Sequence, residues 1–179
     1  MRVPVHYATT TTKLHKLDRL TARVTYGIRI ISEHVTDDMS LDRASIRKAS
    51  RASDVVNMAG LSSGYVQQCE DKVLWSWKSY KALHSDWERK LAYHQEKLLT
   101  IDDEKKRARK EQYTQKLLGR EPSIPAFKDK TPCRIDPRTG KIQESSVKLT
   151  THWVHLSTLR KGVTIDVPLN PLILSHQTS

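Results

Sequence analysis

The apolar positions divide the chain into stretches of different period. Over about 12–35, Leu14, Leu17, Leu20, Val24, Ile28, Ile31 and Val35 recur at steps of three and four, which places them on one helical face. Lys13, Lys16, Arg19, Arg23 and Arg29 lie mostly off that face, and Thr11 or Thr12 can cap the start. A second helix is expected over about 41–58, between Ser40 as cap and Gly60 as stop, with Ser50-Arg51 as a point where it can divide. The plainest element runs from Ser62 or Ser63 to about Leu99. Its stripe of Val66, Cys69, Val73, Trp77, Tyr80, His84, Trp87, Leu91, His94 and Leu98 keeps a near-heptad spacing. Such a stripe needs a partner. The 12–35 helix is the one expected, with Leu17, Leu20, Val24 and Ile28 facing Trp77, Tyr80, Trp87 and Leu91. A fourth helix, from a cap at Thr100 to Leu118, has Asp102 and Asp103 in its first turn and almost no apolar stripe.

After Gly119 the pattern changes. Six of the seven prolines fall in residues 120–179. Val147, Leu149, Thr151, Trp153 and His155 alternate with Lys148, Thr150, His152, Val154 and Leu156, and Val163, Ile165 and Val167 alternate with Thr164 and Asp166. Residues 157–162, ending in Gly162, form the turn of a β-hairpin. A weaker hairpin is expected about Asp136-Pro137-Arg138-Thr139-Gly140, pairing Cys133–Ile135 with Lys141–Gln143. Val3–Thr9 then reads as a first strand that must join the late strands, since a lone strand is not stable. The fold class expected is α+β. Residues 1–12 and 121–179 would form a β-barrel or wedge-like module, and 13–120 an inserted helical bundle.

Charge changes the picture. Lys and Arg number 31 against 20 Asp and Glu, a formal net charge of +11, so a polyanion is a natural partner. With 37% hydrophobic residues the chain can build a core, and no apolar run is long enough for a transmembrane helix. Residues 1–12 lack the apolar centre of a secretory signal. The two cysteines, Cys69 and Cys133, suit a reducing compartment, so the expected location is cytoplasmic.

Catalytic motifs are lacking. Asp37-Asp38, Glu70-Asp71 and Asp102-Asp103 sit at helix boundaries or beside cations, as caps and solvated ion pairs do. The sequence holds no glycine-rich phosphate loop, no His-Glu-x-x-His and no Gly-x-Ser-x-Gly. His152 and His155 would lie on opposite faces of a strand, and His84 and His94 about 15 Å apart along a helix. No catalytic residue, metal site or cofactor is expected. The cations are more telling. One cluster holds Lys105, Lys106, Arg107, Arg109 and Lys110, continuing through Lys116 and Arg120. A second holds Arg43, Arg47, Lys48 and Arg51, and a third Lys128, Lys130, Arg134, Arg138 and Lys141, with Arg160 and Lys161 in the late hairpin. All are candidates for phosphate contact, where each neutralised phosphate releases a counterion. Tyr65, Trp75, Tyr113 and Phe127 are candidates for stacking on bases, Trp75 foremost because it is off the heptad stripe.

The segment from Gly60 to Tyr80, GLSSGYVQQCEDKVLWSWKSY, resembles the helix of TnpB-type (OrfB) transposon proteins that opens on small residues and continues through a Gln-Gln and an Asp-Lys pair. Pro125-Ala126-Phe127-Lys128 and the strand pair around Trp153–Gly162 and Ile165–Leu169 are similar in order to that family as well. The resemblance, over roughly residues 1–170, implies a wedge β-barrel with an inserted helical recognition domain. It also implies binding of a guide RNA and of the guide–target duplex. The family's RuvC-like nuclease and its four-cysteine zinc ribbon have no counterpart in these 179 residues. No nuclease residue is carried over, and the expectation is a truncated, split or decayed copy, or one whose nuclease sits on a separate chain. The alternative is a helical interaction or oligomerisation protein with an incidental basic surface. An enzyme of another class would require metal-dependent nuclease activity in the chain itself.

Overall fold

The computed structural model describes residues 9–127, 130–146, 150–160 and 162–169. Among them lie helices α1 (Thr11–Ser32), α2 (Arg43–Ala52), α3 (Val55–Ala59), α4 (Ser63–Leu99) and α5 (Glu104–Leu118), then strands β1 (Gly140–Glu144), β2 (His152–Ser157) and β3 (Thr164–Pro168). The class is α+β. The chain divides into two compact units, one formed by residues up to Lys72 with those from Phe127 onward, the other by Val73–Ala126. The division falls inside α4, so α1, α2 and α3 belong with the sheet rather than with a helical unit spanning 13–120. Apart from Thr9, which is buried, the expected first strand Val3–Thr9 lies outside the described residues.

In the first unit the predicted stripe of α1 is core from Leu20 onward: Leu20, Val24, Ile28 and Ile31 are buried, whereas Leu17 is half-buried and Leu14 exposed, and the helix packs on α2 and α3. The 41–58 segment does divide, three residues later than Ser50-Arg51. Asp54 takes a left-handed φ of 47° between α2 and α3, and Gly60 ends α3 at φ 62°. Asp42, not Ser40, caps α2 by accepting from the Ser45 N–H at 2.8 Å, while the Ser40 hydroxyl donates to Asp42. Where α1 meets α4, the Cys69 thiol donates to the Val24 carbonyl at 3.6 Å. Burial foremost pushes that thiol up to about 12, leaving it a core group rather than a nucleophile.

The sheet is antiparallel in the order β1-β2-β3. Gly140 stands opposite Leu156 and Glu144 opposite His152, while Trp153 faces Pro168 and Ser157 faces Thr164. Val154, Leu156, Ile165 and Val167 form its buried face with Leu169, against Leu17 of α1. The late hairpin is as expected, but the earlier one is not. The Asp136–Gly140 turn exists, yet Lys141–Gln143 pairs with β2, not with Cys133–Ile135. The approach to that turn is tied to α1 instead. Lys130 Nζ reaches Asp18 at 2.8 Å and the Thr131 N–H donates to Thr25 Oγ1 at 2.7 Å, which draws residues 130–131 to the helix.

The second unit pairs the rest of α4 with α5 as an antiparallel hairpin. Trp87 Nε1 donates to the Leu117 carbonyl at 2.8 Å, and the His94 ring lies 4.7 Å from that of Tyr113. The stripe therefore has two partners in succession: α1 at Cys69, and α5 from Trp87 onward. The expected match of Trp87 to α1 is corrected by this bond. A heptad pattern reports that a helix has a partner along one face, not that the partner is the same throughout. Asp103 rather than Thr100 caps α5, accepting from the Lys106 N–H at 2.9 Å.

Candidate nucleic-acid interface

The three cation clusters have different surroundings. Arg43 and Arg47 of the second cluster and Arg138 of the third converge on the start of α4, although sequence spacing keeps them far apart. Asp71 meets Arg43 of α2 at 3.7 Å and Arg138 of the 136–139 turn at 3.2 Å, and Glu70 meets Arg47 at 3.9 Å. Both carboxylates are largely covered, at 18% and 15% side-chain exposure, so Glu70-Asp71 is an anchor rather than the solvated pair expected. Arg138 also donates to Asp136 and to Gln67. Its guanidinium holds the Asp136 carboxyl below the usual carboxylate range, with burial opposing and the Arg138 N–H assisting.

The small residue at the start of α4 has a mechanical cause. A Cβ on Gly64 would stand 2.9 Å from the Arg138 carbonyl, so only glycine lets the turn lie this close. The next turn of α4 grips the sheet. The Tyr65 hydroxyl donates to the Ser157 carbonyl at 2.7 Å, and Gln68 Nε2 donates to the buried Thr139 hydroxyl at 2.8 Å. Tyr65 is 1% exposed and has no ring face for a base, which corrects its reading as a stacking residue. Its aromatic ring is in the core, and its hydroxyl needs and finds an acceptor.

The α5 cluster is different. Arg107 pairs with Glu111 and Lys106 with Asp103, both one helical turn away and exposed. Lys110 lies over the Tyr93 ring at 5.6 Å. Lys105, Arg109 and Lys116 are exposed and have no carboxylate partner among the described residues. Their spacing of four and seven puts them on one face with Gln112, over about 16 Å of helix. Sequence reading found these cations but not their separation from Lys106, Arg107 and Lys110, although the i, i+4 rule contains it.

The other candidates are dispersed. Lys48, Arg51, Arg134, Lys141 and Arg160 are exposed, and Lys130 is engaged by Asp18. Lys128 and Lys161 lie outside the described residues. Trp75 is 52% and Tyr113 50% exposed, and Phe127 is half-buried. Among the described residues no three His, Cys, Asp or Glu are grouped to hold a metal ion, and no helix is long and apolar enough to cross a membrane. No protein-family model, curated protein or solved structure matches the chain.

Proposed function

We propose that this chain is a cytoplasmic nucleic-acid-binding protein that holds structured RNA, and duplex formed upon it, through phosphate contacts. In this reading it corresponds to the wedge and recognition portion of a TnpB-like RNA-guided nuclease and does no phosphodiester chemistry itself. The observation that carries the reading is the Lys105, Arg109 and Lys116 face, three exposed cations on one helix with no carboxylate partner among the described residues. Phosphate is the partner that such a face suits, because neutralising it releases counterions. Trp75 and Tyr113 add exposed ring surface for sequence-tolerant stacking. The test is titration of a structured RNA at increasing salt. Binding that weakens steeply, by about 0.7–0.9 logarithmic unit per contact, supports the proposal. Absence of binding at low salt defeats it.

A second reading, a helical interaction protein, is favoured by Leu83 and Leu99 of α4, 58% and 83% exposed. Sedimentation separates the two. A concentration-dependent oligomer that binds no RNA would put the second reading first.

A further inference from the structure

We propose that a cavity between α1 and the β2–β3 turn binds the 5′-phosphomonoester of a nucleotide, at the end of an RNA strand or free in solution. The cavity, of about 460 Å3, is lined by Lys16, Arg19, Thr158, Leu159, Arg160 and Val163. The strand-end form rests on the RNA-binding reading above, while the free-nucleotide form stands without it.

Among the described residues, three cations and no carboxylate line this space. Lys16 and Arg19 are exposed, one turn apart on α1, and Arg160 is exposed on the turn opposite. None of the three has an ion-pair partner among the described residues, whereas Arg43, Arg47 and Arg138 in the same unit are all compensated. Such a group of like charges repels itself until an anion enters. A phosphomonoester carries about −1.5 to −2 at neutral pH, against one charge on each internal phosphodiester, so it matches three cations better.

Hydrogen bonds tie together Thr158, Arg160 and Val163 in the wall that carries Arg160. The Thr158 hydroxyl accepts from the Arg160 N–H at 3.2 Å and donates to the Val163 carbonyl at 2.8 Å. The Val163 N–H closes on the Arg160 carbonyl at 3.1 Å, and Gly162 supplies the left-handed φ of 75°. Leu159 and Val163 add apolar surface beside the charge. Apolar wall beside a few charged groups suits a nucleotide better than inorganic phosphate.

The experiment compares the full chain's affinity, by fluorescence anisotropy, for one RNA oligonucleotide bearing either a 5′-phosphate or a 5′-hydroxyl, with AMP as competitor. The phosphorylated strand should bind about tenfold tighter or more, and Lys16→Gln with Arg19→Gln should bring the ratio near one. Circular dichroism checks that this exposed double substitution stays folded. AMP that displaces the phosphorylated strand selectively supports the free-nucleotide source. A tenfold preference that AMP leaves intact supports the strand end. Equal binding of both strands, untouched by AMP or the substitutions, overturns the pocket and leaves RNA binding standing. No binding of either strand, with direct calorimetric titration showing AMP bound by the wild type and lost in the double variant, overturns the RNA reading and keeps the pocket.

Discussion

The 136–139 turn and helix α5 are both basic in sequence, yet their cations do different work. Arg138 is held by carboxylates of Asp136 and of Asp71, which is 67 residues away, and the turn's backbone rests on Gly64. On α5 the paired cations find acids only one turn away, and Lys105, Arg109 and Lys116 find none among the described residues. Long-range pairing to covered carboxylates makes a cation part of the fold. Local or absent pairing leaves it for a ligand. Net charge counts the two kinds alike, and only the second can release counterions without costing structure.

The sharpest break of this contrast is at Gly64. Gly64→Val should cost up to about 3 kcal/mol in denaturant unfolding, because its side chain meets the Arg138 backbone rather than a flexible side-chain end. A cost below about 0.5 kcal/mol would mean that the turn does not lie against α4. Arg138→Ala comes next. It leaves two partly covered carboxylates short of a donor and should cost about 1–3 kcal/mol by the same assay. A neutral result would return Arg138 to the free cations.

Acid titration sharpens the same point. The Asp136 carboxyl is depressed in the folded state, chiefly by the Arg138 side chain. Its contribution is therefore present above the unfolded carboxylate value near pH 3.9 and is lost as pH falls through the lower folded value. Unfolding free energy should drop over that acid window in the wild type and drop less steeply in Arg138→Ala. Parallel curves would show that the pair adds nothing to stability.

Much of this fold was legible from period alone, because a helix or hairpin is encoded in local spacing. The bounds of α1 and α4 and the late hairpin follow from steps of three and four or of two. What local spacing cannot encode is which distant group completes a side chain. Tyr65 reads as an exposed aromatic until the Ser157 carbonyl, 92 residues on, is found against its hydroxyl. The partner of β1 was missed for a similar reason. Thr25 and Asp18 of α1 draw off residues 130–131, and nothing in the turn sequence announces that. The α5 face was legible in principle, since both its pairing and its exposure obey rules that reach only four residues.

The smallest expected effect on stability belongs to the region with the largest expected effect on binding. Lys105→Glu, Arg109→Glu and Lys116→Glu should each change folding free energy by no more than about 0.5 kcal/mol. Lys105 lies in the first turn of α5, where an acid suits the helix dipole. The decisive measurement is the salt dependence of structured-RNA affinity for the wild type and for this triple variant, with thermal unfolding recorded on both. Cations on α5 that contact phosphate predict a slope shallower by about two to three units in the triple variant, at nearly unchanged melting temperature. An unchanged slope in a folded triple variant would contradict the account, and would make this face a solvated surface only.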